Sequence, residues 1–155
     1  MKKIGIAFLS VLAVLAVLVA PAHARVKHHR NRAPALPPIV VVNVNIASQT
    51  MSVSVNGWPE GYWRISSARK GYHTPRGSYG VTRMAREYYS KKYDDAPMPN
   101  SVFFYGGYAI HATNHVSQLG RPASHGCIRL HPGDSAELYE LVKEYGMSRT
   151  RININ

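Results

Sequence analysis

The chain has 155 residues, a formal net charge of +11 and a sequence pI near 10.0. Its single cysteine, Cys127, excludes an intramolecular disulfide framework, so the fold must hold without one. With cations this far in excess the partner is an anion, either nucleic acid or the carboxylates and acidic glycolipids of a cell envelope.

Residues 1–24 read as a secretory signal. Lys2 and Lys3 form a positive start, residues 4–20 are apolar apart from Gly5 and Ser10, and Pro21-Ala22-His23-Ala24 supplies a small-residue cleavage site. An apolar run of this length stands at the limit for a membrane span. The helix-breaking proline and the small residues favour cleavage near Ala24 over a retained anchor. No cysteine follows the run, which excludes a lipoprotein anchor. Cleavage removes two lysines and no acids, taking the net charge from +11 to +9. Export to the periplasm or cell envelope removes nucleic acid as a partner and leaves wall carboxylates. Residues 25–38 hold Lys27, His28, His29, Arg30, Arg32 and three prolines, a basic extended linker. The His28-His29 pair reads as solvated rather than metal-binding.

Residues 39–155 are sized for one domain with one core. Residues 39–46 pass from an apolar run into alternation, and residues 50–56 place Met51, Val53 and Val55 on one face. Asn56-Gly57 is a hairpin turn signal, and Tyr62-Trp63-Arg64-Ile65 starts a third strand. Thr74-Pro75-Arg76-Gly77 is a further turn, leading into a strand over 78–82. Residues 87–100, with Tyr88, Tyr89, Lys91, Lys92, Tyr93 and two prolines, have no clear period and read as a long lid-like loop. Residues 102–110 read as one apolar strand. Leu138, Leu141, Val142 and Tyr145 fall at helical spacing over 134–145, with Gly146 as the stop. Residues 149–154 alternate as a last strand. The class is mainly β, an antiparallel sandwich or open barrel with one packed C-terminal helix.

Cys127 lies in Ser124-His125-Gly126-Cys127-Ile128-Arg129, and His111 stands sixteen residues earlier at the end of an apolar run. A free thiol is only a few per cent thiolate at neutral pH and needs a base or cations to attack a carbonyl. Adjacent strands would bring His111 to Cys127. The uncrowded backbone at Gly126 lets the Gly126 and Cys127 amides face a developing oxyanion. Arg129, one alternation on, is a natural clamp for a substrate carboxylate. Ser124 is rejected as nucleophile because the thiol needs less activation. His73, His115 and His131 read as surface or loop residues, with His73 near enough to Thr74-Pro75 to touch substrate. Trp58, Trp63 and the tyrosines of the lid read as packing.

Ile110-His111, a gap, then Ser124-His125-Gly126-Cys127 resembles the signature of the L,D-transpeptidase (YkuD) family. The likeness extends through Ser48-Gln49-Thr50-Met51, Asn56-Gly57, Ile65-Ser66-Ser67, Thr74-Pro75-Arg76-Gly77 and Gly107-Tyr108-Ala109-Ile110-His111, and so covers residues 39–155. It implies a β-sandwich acting on peptidoglycan stem tetrapeptides, with attack at the L-centre of diaminopimelate, loss of D-alanine and a thioester. An amine then takes the acyl group, giving a 3→3 cross-link or attaching a wall protein. It implies Cys127 as nucleophile, His111 as proton acceptor and donor, and the Ala112 carbonyl orienting His111, where relatives carry Gly or Ser. His125 would support the site, and Ser124 and Arg129 would meet substrate, Arg129 standing where many relatives have Asn. The resemblance also implies a thiol with a depressed pKa, acylated by carbapenems. No cofactor or metal is expected, and a monomer is. The rival readings are a carboxypeptidase or hydrolase using water, and a non-catalytic wall-binding module. Wall-hydrolase cysteine peptidases place the cysteine before the histidine, and His111, His125 and Cys127 lack zinc-hydrolase spacing.

Overall fold

Val40, Val42 and Val44 alternate with Val41, Asn43 and Asn45, and that period of two puts three valines on one face of an extended chain. The computed structural model describes residues 37–155; the expected signal and most of the linker lie outside the described residues. In chain order the strands are β1 (Val40–Asn45), β2 (Thr50–Val55), β3 (Trp58–Arg64), β4 (Gly77–Gly80), β5 (Arg83–Ala85), β6 (Tyr89–Ser90), β7 (Ala96–Pro97), β8 (Ser101–Tyr105), β9 (Tyr108–Ala112), β10 (Ile128–Leu130) and β11 (Thr150–Ile154). Among the described residues a single α-helix, α1 (Pro132–Tyr145), precedes β11.

One sheet has the order β3-β2-β1-β11-β4, the second β10-β9-β8-β5, and β6 pairs with β7 in a small hairpin. The first two do not close into a barrel. Their inner faces share one core. Val42, Val53 and Ile152 come from the first sheet, Val102, Phe104, Ile110 and Ile128 from the second, and Leu138 and Val142 from α1. Burying each such side chain contributes about 2 kcal/mol.

The mainly β sandwich with one helix is as expected, and so is the inward row Met51, Val53 and Val55. The third strand, β3, already starts at Trp58 and ends at Arg64 rather than starting at Tyr62, β4 covers Gly77–Gly80 rather than 78–82, and four further details differ. Two pairings are parallel, β1 with β11 and β9 with β10, in an otherwise antiparallel fold. The run 102–110 is a hairpin, β8 and β9, turning at Gly106-Gly107. It reads as one apolar strand because the second sheet is covered on both faces, with Phe103 and Ala109 packing outward on Met98. The lid-like segment is not structureless: Tyr89 pairs with Pro97 and Ser90 with Ala96. Helix α1 starts two residues before the expected Asp134, with Pro132 in its first turn and the His131 side chain accepting the Gly133 N–H. It stops at Gly146, φ 93°, as read.

Candidate active site

Ile110 and Ala112 on β9, and Ile128 and Leu130 on β10, turn into the core. Alternation therefore sends Ala109 and His111, Cys127 and Arg129, out of the opposite face of the same strand pair. The strands run parallel, with Ile128 level with Ile110 and Arg129 level with His111. Cys127 thus stands level with Ala109, one pleat repeat (about 7 Å) before His111. His111, Cys127 and Arg129 open into a cavity of about 360 Å³. Tyr88, Lys91, Lys92 and Tyr93 from the β6–β7 hairpin form its roof, and Thr113, Asn114 and His115 one wall. The hairpin is a lid in position as well as in sequence.

The turn that presents the thiol is locked from several sides. Gly126 has φ 132°, and a Cβ there would meet Tyr108 Cε1 at 2.5 Å and the His73 carbonyl oxygen at 2.8 Å. Thr74 Oγ1 donates to the Gly126 carbonyl at 2.8 Å and accepts the Ala68 N–H at 3.1 Å. Ser124 is buried, donates to the Cys127 carbonyl at 2.6 Å and accepts the Gly126 N–H at 2.9 Å. Two expectations change here. Ser124 borders the cavity, but its hydroxyl is spent on the turn rather than on substrate. The Gly126 amide, expected at the oxyanion, is likewise spent on Ser124.

Behind the turn runs the segment 65–69. Ser66 and Arg129 exchange both backbone hydrogen bonds, at 3.0 and 2.9 Å, and the Ala123 and Ser124 N–H groups donate to the Ser67 carbonyl at 2.9 Å. Gln49, at φ 55° and buried, holds that segment. Its Oε1 accepts the Ser67 N–H at 2.8 Å, and its Nε2 donates to Ser67 Oγ and the Ile46 carbonyl at 2.6 Å each.

His111 Nδ1 lies 2.7 Å from the Ala112 carbonyl oxygen. A carbonyl only accepts, so Nδ1 carries the hydrogen and Nε2 keeps its lone pair. Burial lowers His111 to about 4, against the Ala112 hydrogen bond and aided by the Arg129 charge. The imidazole is therefore neutral at pH 7. Burial pushes the Cys127 thiol up, although the Ala109 backbone and Arg129 pull the other way. The expected depressed thiol is thus corrected. Desolvation under the lid outweighs the neighbouring cation, and the resting pair is thiol and neutral imidazole. No hydrogen bond joins the two in this structure.

Arg129 is half-buried, its Nη1 3.4 Å from both Gln118 Oε1 and the Ala123 carbonyl. His125 stacks on Tyr93 of the lid at 4.4 Å between ring centroids and meets the Tyr72 edge at 4.6 Å. Its pKa is lowered by burial first, then by Arg69, Arg129 and Lys92. His115 lines the cavity rather than a remote surface, while His73 leans on Tyr108 at 6.0 Å. Sequence reasoning missed Thr113, Arg69 and Tyr72. None stands in a motif, and only the fold brings them to the site.

Comparison with known proteins follows the same lines. Residues 39–154 match the YkuD family, described as the L,D-transpeptidase catalytic domain. YqjB of Bacillus subtilis, which carries the L,D-transpeptidase name, is 28% identical over 120 residues, covering 69% of this chain and 68% of that protein. The solved L,D-transpeptidase of Stackebrandtia nassauensis superposes with a TM-score of 0.67 at 25% identity, covering 83% of this chain and 61% of that one. That of Xylanimonas cellulosilytica gives 0.64 at 26%, covering 79% and 63%. The chain thus spans about three fifths of the solved structures it matches. Fold and matched span together assign the chain to the YkuD family of L,D-transpeptidase catalytic domains.

Proposed function

We propose that the protein is an exported peptidoglycan L,D-transpeptidase with Cys127 as nucleophile and His111 as its base. One observation carries the reading: a cysteine, a histidine with a free Nε2 and an arginine share one face of a parallel strand pair, under a lid. The donor is a stem tetrapeptide whose carboxylate is held by Arg129, with the carbonyl at the L-centre of diaminopimelate over the thiol. The Cys127 proton moves to His111 Nε2 as sulfur bonds to that carbon and the carbonyl electrons pass to oxygen. The Cys127 N–H, which has no acceptor among the described residues, donates to this oxyanion. Collapse breaks the C–N bond, and D-alanine leaves with the proton from His111. An acceptor amine from a second stem, or a lysine of a wall protein, then gives its proton to His111 and attacks the thioester. The amide forms and the thiol is restored. His125 holds the lid rather than moving the proton.

Starting from two neutral groups suits this cycle. Neither charge is stored on the buried floor of the cavity, and the ion pair arises only as bonding to carbon begins. The deciding experiment incubates the protein and Cys127→Ala with tetrapeptide muropeptides and reads products by mass. A cross-linked dimer lacking one D-alanine, absent in the variant, is expected. Tripeptide monomer alone would make water the acceptor and refute transfer to an amine.

A further inference from the structure

Three cations line the cavity over Cys127, namely Lys91, Lys92 and Arg129, and none of the chain's eight acidic residues does. They stand on two walls. Arg129 rises from β10 on the floor, while Lys91 and Lys92 belong to the tip of the hairpin that roofs it. Among the described residues none of the three has an ion-pair partner. The two ion pairs, Arg86–Glu140 and Lys143–Glu140, involve α1. Asp94 and Asp95 follow the lysines but are exposed and do not line the cavity.

One roof lysine, Lys92, is placed by a ladder of rings. The Lys92 ammonium lies 5.5 Å from the Tyr93 ring centre, Tyr93 stacks on His125, Tyr72 meets His125 edge-on, and the Arg69 guanidinium lies 4.9 Å over Tyr72. The ladder ties the lid tip to the turn that presents the thiol. It also brings Lys92 and Arg129 both close enough to His125 to disfavour its protonation.

We propose that Lys91 and Lys92 form a second carboxylate subsite on the roof, opposite Arg129. The acyl donor is then selected for carrying two free side carboxylates in addition to that of its terminal D-alanine. This rests on the peptidyl-transfer reading above and adds a specificity to it. Across the cavity, cations on the roof face a cation on the floor, and no acidic side chain lies between them. A donor with one free side carboxylate satisfies the floor and leaves the roof repelling. A second carboxylate neutralises the roof and holds the lid down. Its amide has nearly the same shape but no charge, so the discrimination is electrostatic and fades with salt.

The test compares two tetrapeptide donors, one with both side carboxylates free and one with a single side carboxylate amidated, at low salt and at about 0.5 M salt. Wild type and Lys91→Gln/Lys92→Gln are assayed, with Cys127 alkylation as a check that the site is intact. Wild type is expected to show a KM about three- to tenfold lower for the free acid at low salt. That preference should collapse in the double variant and at high salt. A wild type indifferent to amidation, or a preference that survives in the double variant, overturns the subsite. Turnover of neither donor by a protein whose Cys127 still alkylates would instead remove the peptidyl-transfer reading, and this subsite with it.

Discussion

Burial of His111 has a consequence that can be measured without substrate. The imidazole titrates near 6.5 when unfolded and near 4 in the folded protein. Between those values the unfolded chain binds a proton the folded chain refuses. Stability therefore rises with pH across this window and is lost as pH falls from 6.5 toward 4. A displacement of about 2.5 units at about 1.36 kcal/mol each amounts to about 3 kcal/mol. His111→Gln removes the titrating group, so the stability gap between wild type and variant should widen by about 3 kcal/mol from pH 4 to pH 7. Carboxylates titrating below pH 5 affect both proteins alike and cancel in the difference. The assay is urea unfolding at half-unit steps of pH. With a slope of about 1.5 kcal/mol per molar, the separation of the midpoints should grow by about 2 M urea. A separation that stays flat from pH 4 to pH 7 would refute the claim that the buried imidazole is neutral.

Three further outcomes follow from the same geometry. Gly126→Ala should cost about 2–4 kcal/mol in thermal unfolding and abolish turnover, because the new Cβ meets the Tyr108 ring and the His73 carbonyl in a left-handed backbone. Iodoacetamide should label Cys127 more slowly at pH 7 than a small free thiol, and the rate should keep climbing above pH 9, since burial raises the thiol. Saturation near pH 7 would contradict this. Gln49→Ala removes three hydrogen bonds around Ser67 and should cost about 2–3 kcal/mol, with a fall in kcat from a loosened turn although residue 49 lies outside the cavity.

What the sequence made legible and what it hid divide along physical lines. Period-two alternation revealed β1 and β2 because each has one dry face and one wet face. It did not reveal that the run 102–110 bends into two strands, because most positions of β8 and β9 are buried and the signal lay instead in Gly106-Gly107, a two-residue hairpin turn. The pairing of β9 with β10 was inferable from a histidine and a thiol that must meet, but its parallel sense was not. The fate of the Gly126 amide was hidden for a different reason. Ser124 reads as a polar group beside a nucleophile, and only its two hydrogen bonds reveal it as a brace. The thiol shift was misjudged because adjacent histidines are visible in a sequence, whereas the depth of burial under a lid is not. His125 was read apart from the main base, and its partners Tyr93 and Tyr72 come from segments some thirty and fifty residues away.

Strand β11, far along the chain from both of its neighbours, lies inside the first sheet between β1 and β4. While the chain is being made, β1 can pair with β2 on one edge only, and β4 has no neighbour at all until residues 150–154 arrive. The first sheet is therefore completed late, through a β1–β11 pairing more than a hundred residues apart in the chain. A ribosome-bound chain holds its first sheet open at β1 until residues 150–154 emerge to bridge β1 and β4.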